Sequence, residues 1–144
     1  MIELTPDRLL AVVILLPSVA VGLVLHEWLH ALVLRLVGIE YTIVFGGERT
    51  PGVLSGMLSH PWAVVHPEPT GEEPAWHLRV AAMSPLLLAL PTLTVATDFV
   101  IVPAHPAVTA ILLATLACAI PSPQDFSVAF YAHSVLEDLT SSRA

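Results

Sequence analysis

The chain has 144 residues, of which 56% are hydrophobic and only 12% charged, and its formal net charge is −7. About a quarter of the residues in a soluble domain are charged, and a chain this short cannot bury so much apolar surface in a water-facing globule. We therefore expect a single membrane domain over residues 1–144. All five basic residues are arginine, so no basic patch can neutralise phosphates, and we expect no nucleic-acid partner. The acidic, lysine-free composition is typical of proteins from salt-loving organisms.

The first predicted element is a long apolar helix over residues 9–37. At 1.5 Å per residue it would reach about 43 Å, which exceeds the roughly 30 Å of hydrocarbon to be crossed. A cleaved signal peptide is the competing interpretation, with Ser18–Ala20 as a weak cleavage site. Glu3 and Asp7 stand where a positively charged segment would be needed, so we expect a retained transmembrane helix.

A β-hairpin with a loop is predicted next, over residues 40–76. The segment Tyr41–Phe45 is β-branched and aromatic, which indicates a strand, and Val53–His60 is the predicted second strand. The acidic, proline-rich segment Pro67–Pro74 indicates a loop. We expect the hairpin to lie outside the membrane or at its edge.

Two more apolar segments complete the predicted fold. Residues 78–102 form the second span, which Pro85 and Pro91 would bend, and residues 107–136 form the third, broken at Pro121–Pro123. The expected fold class is mainly α and integral to the membrane. It has about three transmembrane helices, the third broken at a proline-rich point, with a small β-hairpin inserted between the first and second.

The arginines set the predicted orientation. Arg8 lies on one side of the predicted spans and the other four lie on the hairpin side, so the positive-inside rule places the hairpin and the C-terminus in the cytoplasm. Three spans are few to enclose a water-accessible site, so a homo-oligomer or a partner protein is compatible with this fold. The four arginines on the hairpin side are Arg35, Arg49, Arg79 and Arg143.

The motif that carries chemistry is His26-Glu27-Trp28-Leu29-His30, inside the first predicted span. On a helix, His26 and His30 lie one turn apart on one face, where both imidazoles reach the same ion, and Glu27 lies close to a water on that ion. Two imidazoles and a third ligand hold Zn²⁺ with one position open, and a glutamate there can act as general base. Each ionisable residue within a span costs about 2.5–3.5 kcal/mol, so three of them indicate a functional site.

Asp125 is the predicted third zinc ligand. It lies about 18 residues into the third span, and His26 lies about 17 residues into the first, so the two reach a similar depth of roughly 26 Å. Asp125 can also cap the helix that resumes after Pro123. Alternative ligands on the same segment are His133, Glu137 and Asp138.

The other metal-ligand residue types are expected to be structural. Cys118 lies in an apolar run and is predicted to be a small buried hydrophobe. The remaining histidines lie in loops or at span ends, where we expect surface or interface side chains. They are His60, His66, His77 and His105.

The motif, the hairpin after it, the proline-containing segment Ala82–Pro85 and the late aspartate together resemble the site-2 protease group of intramembrane zinc metalloproteases, and the small zincin-type membrane peptidases related to them. The resemblance implies that His26, His30 and Asp125 bind zinc and that Glu27 is the general base. Asp125 stands in Pro-Ser-Pro-Gln-Asp-Phe rather than in the Asn-Pro-Asp-Gly or Leu-Asp-Gly context usual in that group.

The resemblance also implies a substrate, namely a peptide or transmembrane protein held in extended form beside an edge strand. In this chain the predicted substrate-binding residues are Tyr41, Ile43, Val44 and Phe45, and the segment Val53–Ser59 is the alternative edge. The expected function is a zinc-dependent, membrane-embedded endopeptidase acting on membrane or membrane-proximal substrates. The alternative is a non-catalytic metal-binding membrane protein, or a scaffold with a degenerate motif.

Overall fold

The computed structural model describes residues 5–45, 63–101 and 105–143. The described part is mainly helical. Its helices are α1 (Pro6–Leu36), α2 (Ala75–Met83), α3 (Leu90–Ala96), α4 (Pro106–Cys118) and α5 (Pro123–Arg143), and its strands are β1 (Tyr41–Phe45) and β2 (Ala63–Pro67). A 3₁₀ helix, Ser84–Ala89, joins α2 to α3.

Three helical segments of the described residues are long and apolar enough to cross a membrane. They are Pro6–Leu36, Ala75–Ala96 and Pro106–Ser141. This confirms the mainly helical class and the three predicted apolar helices. The third segment contains the break between α4 and α5 at the predicted prolines, because Pro121 and Pro123 have no N–H to continue a helix.

Helix α1 ends at a glycine that turns the chain into the hairpin. Gly38 has φ +77°, and the amides of Gly38 and Ile39 donate to the carbonyls of Arg35 and Leu34, at 3.3 and 2.9 Å. This is the Schellman arrangement, in which a residue in the left-handed region satisfies the last carbonyls of a helix. Strand β1 therefore begins five residues after α1 ends.

The two strands pair antiparallel, with Tyr41 opposite Pro67 and Phe45 opposite Ala63. Strand β1 matches the predicted segment. The predicted second strand, Val53–His60, lies outside the described residues. The observed partner, β2, was not predicted, because five residues ending in a proline carry little strand signal until another strand pairs with them.

The second span is shorter and less regular than predicted. It was expected to continue to residue 102, but α3 ends at Ala96. Asp98 has φ 54°, and the amides of Phe99 and Val100 fold back onto the carbonyl of Thr94, at 3.0 and 3.1 Å. The third span is longer than the predicted residues 107–136, because α5 continues in helical form to Arg143.

The chain divides into two compact units whose boundary falls inside α1, between His26 and Glu27. The first contains α1 up to His26, followed by Pro85–Ile120. A hydrogen bond of 3.0 Å from Thr92 Oγ1 to the carbonyl of Leu112 joins α3 to α4 in this unit.

The second unit contains Glu27–Ser84 and the chain from Pro121 onward. Its core is a cluster of buried apolar residues from the end of α1, β2, α2 and α5. The cluster consists of Ala31, Leu34, Ile39, Val65, Leu78, Ala81, Ala132 and Leu136.

Candidate metal centre

The histidines of α1 are buried although most of the helix surface is exposed and apolar. His26 and His30 are each 7% exposed, whereas Trp28 is 64% exposed. Large exposed side chains follow the helix from Leu9 to Leu36. In water a helix buries its apolar face and exposes its polar residues. The reverse arrangement suits lipid, where polar residues face the protein interior.

The imidazole of His26 is oriented by the end of α4. Its Nδ1 donates to the carbonyl oxygen of Cys118 at 2.7 Å. A carbonyl only accepts, so Nδ1 carries a proton, and Nε2 is the nitrogen that can bind an ion. Cys118 is the last residue of α4, and in a continued helix its carbonyl would accept from the amide of Ser122.

His30 is oriented in the same way by the end of α2. Its Nδ1 donates to the carbonyl oxygen of Ala81 at 2.8 Å. In a continued α-helix this carbonyl would accept from residue 85, but that residue is proline and has no N–H. The amide of Ser84 and its hydroxyl, at 2.7 Å, also donate to the Ala81 carbonyl. Both histidines therefore present Nε2.

Asp125 faces the second histidine. Its Oδ1 lies 3.2 Å from His30 Nε2. With a proton on Nδ1 of His30, Nε2 and a carboxylate oxygen are both acceptors, so this separation needs either a proton on one of the two atoms or a metal ion between them. Ligand atoms about 2.1 Å from a tetrahedral zinc ion lie roughly 3.4 Å apart. The observed separation fits an ion shared by the two side chains.

His26, His30 and Asp125 form a group that could hold a metal ion, with one ligand atom from each within 4.8 Å of the others. It is the one such group of histidine, cysteine or acidic residues in the described part of the chain. Two imidazoles and one carboxylate match the donor set of catalytic zinc sites that keep an open position. Both imidazoles also have the second hydrogen bond that metal-binding histidines usually make.

Glu27 is held by the hairpin. Its Oε2 accepts a hydrogen bond of 3.1 Å from the amide of Val65 in β2. The amide of Glu68 donates to the carbonyl of Glu40 at 2.8 Å, which makes these two residues a hydrogen-bonded pair. In an antiparallel ladder such pairs alternate with pairs whose backbone N–H and C=O groups point away from the partner strand. The polar backbone groups of Val65 consequently point away from β1, toward Glu27.

The strand that contacts Glu27 is therefore β2. Among the predicted substrate-binding residues, Ile43 and Val44 are exposed, and Tyr41 is half-buried. Adjacent strands lie about 4.8 Å apart. A peptide beside the outer edge of β1 would therefore be separated from Glu27 by the whole sheet.

The alternative ligands lie elsewhere on α5. His133 Nε2 pairs with Glu137 Oε1 at 3.1 Å, and both side chains are mostly exposed, as is Asp138. Among the other histidines, His105 caps α4 by accepting from the amide of Ala107 at 3.2 Å. Trp28, between the two histidines of the motif, is mostly exposed.

Sequence reasoning missed the two carbonyl groups that orient the histidines. Cys118 was expected only as a small buried side chain, and it is buried, but its backbone oxygen contributes the contact. No role was predicted for Ala81. One signal for Ala81 is readable in the sequence, namely a proline four residues later, which leaves a helix carbonyl without its usual donor.

Comparisons with protein-family models, with curated proteins and with solved structures gave no match.

Proposed function

We propose that this chain is an integral membrane zinc endopeptidase of the site-2 protease type, which hydrolyses membrane or membrane-proximal substrates. The observation that carries the proposal is the group formed by His26 and His30 of α1 with Asp125 of α5. Glu27 follows His26 on α1, a helix whose exposed surface is apolar. A buried set of ionisable residues in such a helix needs a functional reason, since its insertion into lipid is costly.

In this proposal His26 and His30 bind one zinc ion through Nε2, and Asp125 binds it through Oδ1. The carbonyls of Cys118 and Ala81 keep both imidazoles in the required tautomer. When bound, zinc would polarise the scissile carbonyl and make a neighbouring water more acidic.

Glu27 is the general base. It follows His26 directly, so its carboxylate lies beside the face of α1 that carries the ligands. It takes a proton from the attacking water and then delivers that proton to the leaving amine. General acid–base catalysis of this kind contributes about 10²–10⁴-fold to the rate.

The substrate is an extended peptide that pairs with the outer edge of β2. The amide of Val65 supports this choice over β1, because it already reaches Glu27. A peptide that accepts this amide hydrogen bond through its own carbonyl would take it from Glu27. The carboxylate is then released next to the peptide that is to be cut.

The membrane position follows from the same features. The three apolar helical segments cross the cell membrane, and the hairpin and C-terminus lie in the cytoplasm with four of the five arginines. Cysteine introduced at Ser141 in a Cys118→Ala background should react with a membrane-impermeant maleimide in inverted vesicles. Reaction in intact cells instead would reverse the orientation.

The test of the activity compares wild type, Glu27→Gln and Glu137→Gln in detergent. Zinc content is measured by elemental analysis and cleavage with fluorescein-labelled casein. We expect wild type and both variants to hold one zinc per chain. We expect cleavage to fall at least about 100-fold in Glu27→Gln only.

Each other outcome has a defined meaning. Cleavage by Glu27→Gln at the wild-type rate would contradict the role of Glu27. Zinc binding without cleavage in wild type would favour a non-catalytic metal-binding membrane protein. Wild type without zinc would remove the basis of the proposal.

A further inference from the structure

Ser122 and Asp125 are joined by two reciprocal hydrogen bonds at the start of α5. The amide of Ser122 donates to Asp125 Oδ2 at 2.6 Å, and the amide of Asp125 donates to Ser122 Oγ at 3.1 Å. This is a capping box, in which the residue before a helix and its third helical residue satisfy each other's free amides. An aspartate stands here in the place usually taken by glutamate or glutamine.

The capping box determines which carboxylate oxygen faces the metal centre. Oδ2 is committed to the Ser122 amide, and Oδ1 lies 3.2 Å from His30 Nε2. A carboxylate held through one oxygen has little rotational freedom about its side-chain bonds. It can therefore offer the other oxygen to an ion in a fixed direction.

The prolines on either side make this arrangement available. If α4 continued, the amide of Ser122 would donate to the carbonyl of Cys118. The break at Pro121–Pro123 ends α4 at Cys118, so the Ser122 amide is taken by Asp125 and the Cys118 carbonyl by His26. One interruption of the helix thus releases two hydrogen-bonding groups, and each is used by a different residue of the metal group.

We infer that Ser122 is a positioning residue for the third metal ligand: its amide holds Asp125 Oδ2, and its hydroxyl, bonded to the amide of Asp125, fixes the turn in which that contact forms. The inference rests on the metal-binding part of the proposed function. It concerns metal affinity and applies whether or not the chain is catalytic.

The experiment measures zinc affinity by competition with a chelator in detergent, and the visible spectrum of the Co²⁺-substituted protein. Four variants are compared with wild type. Ser122→Ala and Ser122→Gly remove the hydroxyl, and Ser122→Thr keeps it. Ser127→Ala is the matched control, because Ser127 lies on the same helix and its hydroxyl donates only to the carbonyl of Pro123, at 2.9 Å.

We expect Ser122→Ala and Ser122→Gly to bind zinc about 10-fold more weakly, because without the hydroxyl the turn loosens and the Ser122 amide holds Oδ2 less firmly, a loss at the low end for changes outside the metal ligands. Their Co²⁺ spectra should also change, while Ser122→Thr and Ser127→Ala stay close to wild type. Glycine is nearly as good as serine at a helix N-cap. The Ser122→Gly variant therefore separates the orientation of Asp125 from the stability of α5.

Unchanged zinc affinity in Ser122→Gly would overturn the inference, because the capping box would then serve the helix alone. Affinity as weak in Ser122→Thr as in Ser122→Ala would also overturn it, because the hydroxyl would not be the cause. Wild type that binds no zinc would overturn both this inference and the proposed function. Tight zinc binding without cleavage would affect only the proposed function.

Discussion

The carbonyl oxygen of Ala81 accepts a 2.8 Å hydrogen bond from Nδ1 of His30, in addition to bonds from the amide and hydroxyl of Ser84. The residue four positions later is Pro85, which has no amide to compete with His30. A proline inside a helix is usually described by the bend that it causes. Here its missing N–H leaves a backbone acceptor available to a histidine.

This relationship predicts that Pro85→Ala weakens metal binding. The new amide at residue 85 would compete with His30 for the Ala81 carbonyl, so zinc affinity should fall by about tenfold or more. Pro85 is fully buried, so thermal unfolding has to be measured together with affinity. Pro91→Ala is the matched control, since Pro91 is exposed in the same span. Equal zinc affinity in both variants would contradict the role of Pro85.

The close approach of α1 and α4 predicts coupled effects of Gly22 and Cys118. A Cβ at position 22 would lie 2.7 Å from Cys118 Sγ and 3.1 Å from its Cβ. Gly22→Ala should therefore lower the unfolding free energy by about 1–3 kcal/mol through overpacking. It should also weaken zinc binding, because the carbonyl of Cys118 orients His26.

The double variant Gly22→Ala/Cys118→Ala should recover part of both losses, because the nearest clashing atom is removed. Thermal unfolding and zinc competition on the two single variants and the double variant give the interaction energy. If the effects of the two substitutions on zinc affinity prove additive, the contact between Gly22 and Cys118 does not influence His26.

Asp125 caps α5 and is the proposed third metal ligand, and a single substitution can separate these two roles. Glutamate is the usual third residue of a capping box, so Asp125→Glu should keep the thermal stability of the protein. Its carboxylate is one methylene longer and should no longer meet the ion in the same place. The loss of zinc affinity should therefore exceed the roughly 10–100-fold typical of an outer-shell change. Retained affinity in Asp125→Glu would mean that the longer carboxylate still reaches the ion, whereas retained affinity in Asp125→Ala would mean that Asp125 is not a ligand.

The turn before α2 predicts a pH-dependent contribution to stability. Burial raises the pKa of Glu73, but hydrogen bonds from Thr70 and Gly71 outweigh this effect and lower the pKa below its ordinary value of 4.5. The amide and hydroxyl of Thr70 donate to Oε1 at 2.9 and 2.8 Å, and the amide of Gly71 donates to Oε2 at 2.9 Å. Because the folded pKa is the lower one, Glu73 stabilises the fold at neutral pH. This contribution is lost as the pH falls through the folded value.

Glu73→Gln should therefore lower the unfolding temperature at neutral pH, and the difference from wild type should shrink as the pH falls below 4.5. Thermal unfolding in detergent over an acidic-to-neutral pH series measures this directly. Glu72→Gln, at the exposed neighbouring position, is the control. A difference that grows on acidification would contradict the sign of the shift.

The spacing of residues along one helix was enough to identify the α1 part of the candidate metal centre from the sequence. His26, Glu27 and His30 lie within five residues of one helix, so their relative positions follow from helix geometry alone. Asp125 was predicted by a different argument, which compared its depth along the third span with the depth of His26 along the first. It does lie in the group with both histidines.

The contacts that depend on tertiary pairing could not be predicted in this way. Strand β2 has no strong pattern of its own, and the contact between Val65 and Glu27 joins residues 38 positions apart in the chain. The carbonyl contacts of Cys118 and Ala81 span 92 and 51 positions. Backbone carbonyls occur at every residue, so side-chain chemistry does not indicate which of them a histidine will use.

The number of residues in the break between α4 and α5 is itself constrained. Cys118 ends one helix and Asp125 lies in the first turn of the next, and only Ala119–Ser122 separate the two helices. An extra residue placed between Ser122 and Asp125 would turn the carboxylate by about 100° around the helix axis. We therefore expect this stretch to tolerate exchange of side chains far better than a change of length. Chains of the same design should keep the count of residues here even where the residues themselves differ.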